Sequence, residues 1–252
     1  MSELTGVVTQ ESDPARSRLI FMITFVVWWS LLAVFNAFPS IDILVARSVF
    51  TEMNCSILDG IGKTCGEFAY DKSQFFSAIR RLLFLLPYVA VAVLVVQIVR
   101  ARLYNGIDWR TPQVDMSVAG LVSLTLGCGL IVNLFLKTFS GRPRPRETSL
   151  FGGQLDFVQA GSFAGKCVKN CSFVSGEASS AGWLFCLILL LPPRLRLPIG
   201  LPLVIISFFI PVMRVLTGAH YLSDVILGWL SSVVIFAGVL AAAEQMTRRR
   251  YI

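Results

Sequence analysis

Val225-Ile-Leu-Gly-Trp-Leu-Ser-Ser-Val-Val-Ile-Phe-Ala-Gly-Val-Leu-Ala-Ala-Ala243 runs for nineteen positions without a charged residue, with Asp224 just before it and Arg248-Arg-Arg250 beyond its end. A helix of that length rises about 28 Å, which matches the ~30 Å hydrocarbon core of a bilayer. Working outward from it, five further apolar runs read as spans: Leu19–Phe38, Leu82–Val99, Ser117–Leu136, Ala178–Leu191 and Leu197–Val212. The fourth and fifth are short, and Pro192, Pro193 and Pro198 mark a tight turn between them. A re-entrant hairpin is the alternative for that pair. The composition agrees with spans. The chain is 55% hydrophobic and only 15% charged, against roughly 25% charged in soluble domains. The expectation is an all-α, polytopic membrane helical bundle of about six transmembrane helices, forming a single domain over residues 1–252. The polar residues 1–15 read as a disordered cytoplasmic tail. The first run exceeds the apolar core of a cleaved signal peptide and reads as an uncleaved span.

The net charge of +7 would suggest nucleic acid in a soluble protein. Here the cations mostly flank apolar runs, so orientation and anionic head groups account for them and no nucleic-acid partner is implied. Arg16 and Arg18, then Arg100, Arg102 and Arg110, then Arg194 and Arg196, and finally Arg248–Arg250 all fall on one side of a six-span arrangement. That side should be the cytoplasm, with both termini inside. The loops Pro39–Arg81, Lys137–Glu177 and Arg214–Asp224 then face outward. Cys55, Cys65, Cys167 and Cys171 lie in the first two of these loops, where Cys55/Cys65 and Cys167/Cys171 would make sense as disulfides. Cys128 and Cys186 lie in apolar runs and read as small packed hydrophobes. The Cys167/Cys171 spacing also fits zinc, but no histidine lies near it and the chain has only His220. Neither a metal nor an organic cofactor is expected.

Three outward segments carry unusual chemistry. Lys137-Thr-Phe-Ser-Gly-Arg142-Pro-Arg144-Pro145 places three cations within eight positions, against the positive-inside tendency. Lys137 alone reads as a head-group anchor. Arg142 and Arg144 are different, because the prolines fix the directions of two guanidinium forks suited to phosphate. Ser172-Phe-Val-Ser175-Gly176-Glu177 leads into the fourth span and leaves free backbone N–H groups at a helix start. Read alone, it is an ordinary N-cap. Arg214-Val-Leu-Thr-Gly-Ala-His220-Tyr-Leu-Ser-Asp224 leads into the sixth span. If helix begins near His220, then His220 and Asp224 share a face. A carboxylate accepting from one imidazole nitrogen leaves the other free to attack. A lone histidine is usually structural, but this one stands between an arginine and a carboxylate. Convergence of the three segments at one end of a bundle would build a phosphate site at the outer membrane face.

These segments resemble the three motifs of the type 2 phosphatidic acid phosphatase superfamily. Its K-x6-R-P motif is matched by Lys137, Arg144 and Pro145. Its R-x5-H-x3-D motif is matched by Arg214, His220 and Asp224. Its P-S-G-H motif appears as Val174-Ser175-Gly176-Glu177. The resemblance covers roughly the second half of the chain. It implies metal-independent hydrolysis of a phosphate monoester or diphosphate on a membrane lipid. His220 would be the nucleophile, forming a phosphohistidine, and Asp224 would orient it. Lys137, Arg144 and Arg214 would hold the phosphoryl oxygens with the Ser175 hydroxyl and the Gly176 backbone, and Arg142 is a further candidate. Glu177 departs from the pattern. It acts as general acid if burial favours its protonated form, whereas the neighbouring cations favour the ionised one. The other reading is an inactive site that only binds phosphate.

The stretch Cys171-Ser-Phe-Val-Ser-Gly-Glu-Ala-Ser-Ser is similar to a bacterial subgroup associated with lipid A phosphatases, including those acting at the 4'-position. The partner implied is a phosphorylated membrane lipid on the outer face of a bacterial inner membrane. Lipid A leads, with undecaprenyl diphosphate, phosphatidylglycerol phosphate and phosphatidic acid as alternatives. A lipid phosphotransferase is a further one. The long loop Glu147–Cys171 reads either as a head-group recognition element or as a plain connection.

Overall fold

The computed structural model describes residues 14–55, 64–106 and 110–250, with the backbone alone at 14 and 246–250. The expected tail lies outside the described residues up to position 13, and residues 14 and 15 already belong to the first helix. The chain orders as helix α1 (Pro14–Ala37), α2 (Ser40–Ser48), strands β1 (Phe50–Glu52) and β2 (Gly66–Phe68), then α3 (Gln74–Leu83), α4 (Leu86–Asn105) and α5 (Pro112–Leu124). The α5 helix widens into a π-helical stretch, Thr125–Leu136, and closes with a short turn, α6 (Lys137–Phe139). After a long loop come α7 (Gly176–Cys186), the turn α8 (Pro193–Leu195), α9 (Leu201–Leu216) and α10 (Leu222–Arg250).

Among the described residues, five helical stretches are long and apolar enough to cross a membrane: Ala15–Ala37, Gln74–Asn105, Pro112–Phe139, Pro193–Leu216 and Leu222–Gln245. The remaining apolar helix, Gly176–Leu190, has fifteen residues and rises only about 22 Å. It can be short because it is the core of the bundle. Trp183, Ala181 and Ala178 are fully buried, and Trp183 donates to the Gly120 carbonyl at 2.8 Å. The outer helices show the opposite pattern, with α1 and α4 presenting Leu19, Val26, Val89 and Val96 outward. Bare apolar faces of this kind are what lipid covers. The molecule is a multi-pass membrane protein.

Helices α7 and α10 touch backbone to backbone. A Cβ on Gly182 would lie 2.2 Å from the Trp229 carbonyl oxygen, and one on Gly228 would lie 2.6 Å from that of Ser175. Ser179 and Ser232 bridge the same seam, with Ser232 donating to the Ser179 carbonyl at 2.7 Å. Small residues permit this approach where no hydrophobic drive joins helices in lipid. Cys128 and Cys186 are buried free thiols in the adjoining core.

The loop Pro39–Arg81 is more structured than the sequence suggests. It contains α2, a small hairpin in which Phe50 faces Phe68, and most of α3, which leads into the span Gln74–Asn105. A disulfide between Cys55 and Cys65 closes the hairpin, with their Cα atoms 5.2 Å apart. The rings of Phe50, Phe68 and Phe151 lie 5.2 to 5.5 Å apart and form a cap over the end of the bundle. The α3 helix is amphipathic, so no uninterrupted apolar run betrays it. Ser73 caps it by accepting from the Phe76 N–H.

Candidate active site

His220 sits on the turn between α9 and α10. Gly218 makes the turn possible, with φ at +59° and a Cβ position only 2.3 Å from the Phe68 ring. The Ala219 and His220 amides both donate to the Arg214 carbonyl, at 3.1 and 3.2 Å. The α10 helix begins at Leu222, two residues after His220.

The imidazole is 2% exposed, so its polar contacts decide its chemistry. Its Nδ1 lies 2.9 Å from the Ser172 carbonyl. A carbonyl only accepts, so Nδ1 carries the proton and Nε2 keeps a lone pair. Asp224 lies 3.9 Å from Nδ1 and makes no direct hydrogen bond to it. The expected pairing is thus corrected: the backbone of Ser172 sets the tautomer, and Asp224 acts from behind. The Ser172 hydroxyl donates to Asp224 Oδ2 at 2.5 Å, and the Tyr221 amide donates to the same oxygen at 2.9 Å. Burial holds the His220 pKa well below the usual histidine value, and Arg214, Arg144 and Lys137 push it further down.

His220 opens onto a cavity of about 170 Å3 lined also by Lys137, Arg144, Arg214, Glu177 and Arg80. Arg144 comes from the turn after α6. Its Nε and Nη2 both donate to the Asn170 carbonyl, at 3.2 and 3.0 Å. That carbonyl is presented from a left-handed residue, Asn170 at φ +57°, beside the Cys167–Cys171 disulfide. Burial lowers the Arg144 pKa, and Arg146 lowers it further. Arg214 extends from the last turn of α9. Its Nε is buried without a hydrogen-bond partner, 3.5 Å from Glu177 Oε2. Lys137 begins α6, and its Nζ lies 3.2 Å from the Cβ position of Gly176.

Three expected residues stand elsewhere. Arg142 does not reach the cavity. It is wholly buried between two carboxylates, donating to Asp42 Oδ2 at 2.7 Å and Asp224 Oδ1 at 2.5 Å. Its Nε donates to the Val158 carbonyl and its Nη1 also to the Ser223 hydroxyl, so four of its five N–H groups are engaged within the protein. Burial opposes its charge, yet Asp224 and Asp42 together raise its pKa. The Ser175 hydroxyl accepts from the Ala178 amide at 3.3 Å and caps α7. Gly176 borders an adjoining apolar cavity of about 630 Å3 rather than the one at His220.

Glu177 is ion-paired. Arg80 Nε reaches both of its oxygens, at 3.1 and 3.2 Å, and Arg80 Nη2 reaches Oε1 at 2.6 Å. A carboxylate gripped this way is an acceptor and has no proton to give. Sequence reasoning missed Arg80, Asp42 and Ser172. The first two lie in the segment Pro39–Arg81, where no local pattern marks them. Ser172 stood inside a segment already singled out, and only its carbonyl direction was unreadable.

Residues 118–248 match the PAP2 superfamily. The chain is 47% identical over 229 residues to the lipid A 4'-phosphatase of Rhizobium leguminosarum, covering 91% of this chain and 98% of that protein. It is 47% identical over 230 residues to the lipid A 4'-phosphatase of Rhizobium etli, covering 91% of this chain and 90% of that one. A lipid A 4'-phosphatase of Francisella tularensis subsp. novicida is 36% identical over 121 residues, which are 46% of this chain and 54% of that protein. With its family motifs gathered at one end of a helical bundle, this chain belongs to the PAP2 superfamily.

Proposed function

We propose that this protein is a phosphoric monoester hydrolase that removes the 4'-phosphate of lipid A through a phosphohistidine. The observation that carries the reading is His220 itself. It is neutral, its Nδ1–H is fixed by the Ser172 carbonyl at 2.9 Å, and it shares a cavity with Lys137, Arg144 and Arg214. His220 Nε2 attacks phosphorus, and the bond from phosphorus to the lipid oxygen breaks. Lys137, Arg144 and Arg214, whose Nε makes no hydrogen bond, stabilise charge on the phosphoryl oxygens as it develops. The imidazolium formed is stabilised by Asp224, 3.9 Å away. Glu177 is placed as a carboxylate, so the departing sugar oxygen takes its proton from solvent. Water then attacks the phosphohistidine, releasing inorganic phosphate and neutral His220. The 47% identity to two lipid A 4'-phosphatases supports the substrate.

The site faces the periplasm in this reading, with both termini cytoplasmic and residues 1–252 forming one membrane domain. The basic clusters at the opposite ends of the spans support that orientation, as do the disulfides at Cys55–Cys65 and Cys167–Cys171.

The test is phosphate release in detergent micelles from lipid A, a prenyl diphosphate, phosphatidylglycerol phosphate and phosphatidic acid. Release from lipid A should fall at least about a thousandfold in His220→Ala. Equal release by wild type and variant would remove His220 from the mechanism. Preferential release from another lipid would overturn the substrate and leave the chemistry standing.

A further inference from the structure

The pair Arg80–Glu177 has two features beyond an ordinary ion pair. It is bidentate, and it hangs over the cavity that holds His220. Both residues also border the adjoining apolar cavity, so they stand where a lipid's phosphate would pass from its apolar part. Glu177 Oε2 lies 3.5 Å from Arg214 Nε, which is buried and lacks a hydrogen bond. One carboxylate thus engages two guanidinium groups at the place where phosphoryl oxygens are expected.

We infer that Arg80 is a phosphate ligand for this reaction, and that Glu177 is a built-in competing anion that holds Arg80 over the cavity until a phosphoryl group displaces it. This rests on the phosphatase reading. A guanidinium fork takes a carboxylate and a phosphoryl group with the same bidentate bite. The phosphoryl group of a monoester carries more charge and a third oxygen, so it can satisfy Arg80 and Arg214 together. In the empty site Glu177 offsets part of the charge of Lys137, Arg144, Arg214 and Arg80, which otherwise repel one another. Once phosphate leaves the histidine, the same carboxylate competes for Arg80 and hastens product release. Arg80 is half-exposed on α3 whereas Glu177 is largely buried at the start of α7. The arginine is therefore the partner free to swing.

Isothermal titration of the detergent-solubilised full chain with inorganic phosphate tests this, alongside turnover of the preferred lipid. Glu177→Gln should bind phosphate roughly tenfold more tightly, about 1.4 kcal/mol, and show stronger product inhibition. Arg80→Gln should bind phosphate roughly tenfold more weakly, with Arg80→Lys in between and melting temperatures near wild type. In the double variant the gain from Glu177→Gln should shrink. Unchanged phosphate affinity with abolished turnover in Glu177→Gln would make Glu177 the general acid and sink the proposal. Unchanged affinity and KM in Arg80→Gln would reduce the pair to a strut between α3 and α7. The phosphate arm does not depend on turnover. A wild type that hydrolyses no lipid yet shows these affinity shifts would fail the phosphatase reading, and with it the product-release role, while leaving Arg80 and Glu177 as competing partners at a phosphate-binding site.

Discussion

His220 lies in a buried pocket facing Arg214, Arg144 and Lys137, with Asp224 behind it, and this sets its response to pH. A depressed pKa keeps the imidazole neutral, and so nucleophilic, into mildly acidic solution. The acid limb of kcat/KM for lipid A should therefore lie well below 6.5, the ordinary histidine value. The linkage has a definite sign. Unfolding exposes a histidine that binds protons more readily, so stability from the neutral state is present above the unfolded value and is lost as pH falls. A pH–rate profile on micellar substrate measures the first effect. An acid limb at or above the ordinary histidine value would contradict the buried environment described for the ring.

Among the elements, α7 is the pivot. It is too short to cross a bilayer with margin, yet its first turn carries Glu177 and its flank carries the serine seam to α10. The α7–α10 contact depends on Gly182, where any side chain meets the Trp229 carbonyl at 2.2 Å. That neighbour is backbone and cannot move aside. Gly182→Val should destabilise the folded protein by at least about 1–3 kcal/mol, the usual cost of overpacking. It should also lower activity by displacing α7 from α10. Thermal unfolding in detergent checks this, and a variant as stable as wild type would mean that the helices can separate. The π-helical stretch after α5 is the other unusual element. Asn133 donates from its side chain to the Cys128 carbonyl five residues earlier, at 2.6 Å, within a run that includes Gly127 and Gly129. Such widening recurs at functional sites, and here it leads directly into Lys137.

At the scale of the molecule, the apolar runs made the helical membrane bundle legible, because lipid demands long uninterrupted spans. Lys137, Arg144, Arg214 and His220 were legible because short segments of fixed spacing place each one locally, on a turn or at a helix end. Arg80 and Asp42 were not. Their partners lie 97 and 100 residues away, joined only by packing. The role of Arg142 was misread for the same reason: its neighbours in sequence suggested a phosphate fork, and its neighbours in space are carboxylates. The proposed periplasmic orientation concerns the whole chain and needs its own test. In cells with a permeabilised outer membrane, mild reduction followed by a membrane-impermeant maleimide should label Cys55, Cys65 and Cys167 and spare buried Cys128 and Cys186. Labelling that appears only after the inner membrane is broken would invert the topology.

Asp42 belongs to α2, well ahead of the region 118–248 that matches the family, yet it neutralises Arg142 at the back of the catalytic turn. A fragment trimmed to the family's boundaries would keep His220, Lys137, Arg144 and Arg214 but lose this carboxylate. Arg142 would then bear on Asp224 alone, and the Ser223 amide would lose its acceptor. The smallest portion of this chain that could be transplanted with its chemistry intact therefore starts before α2.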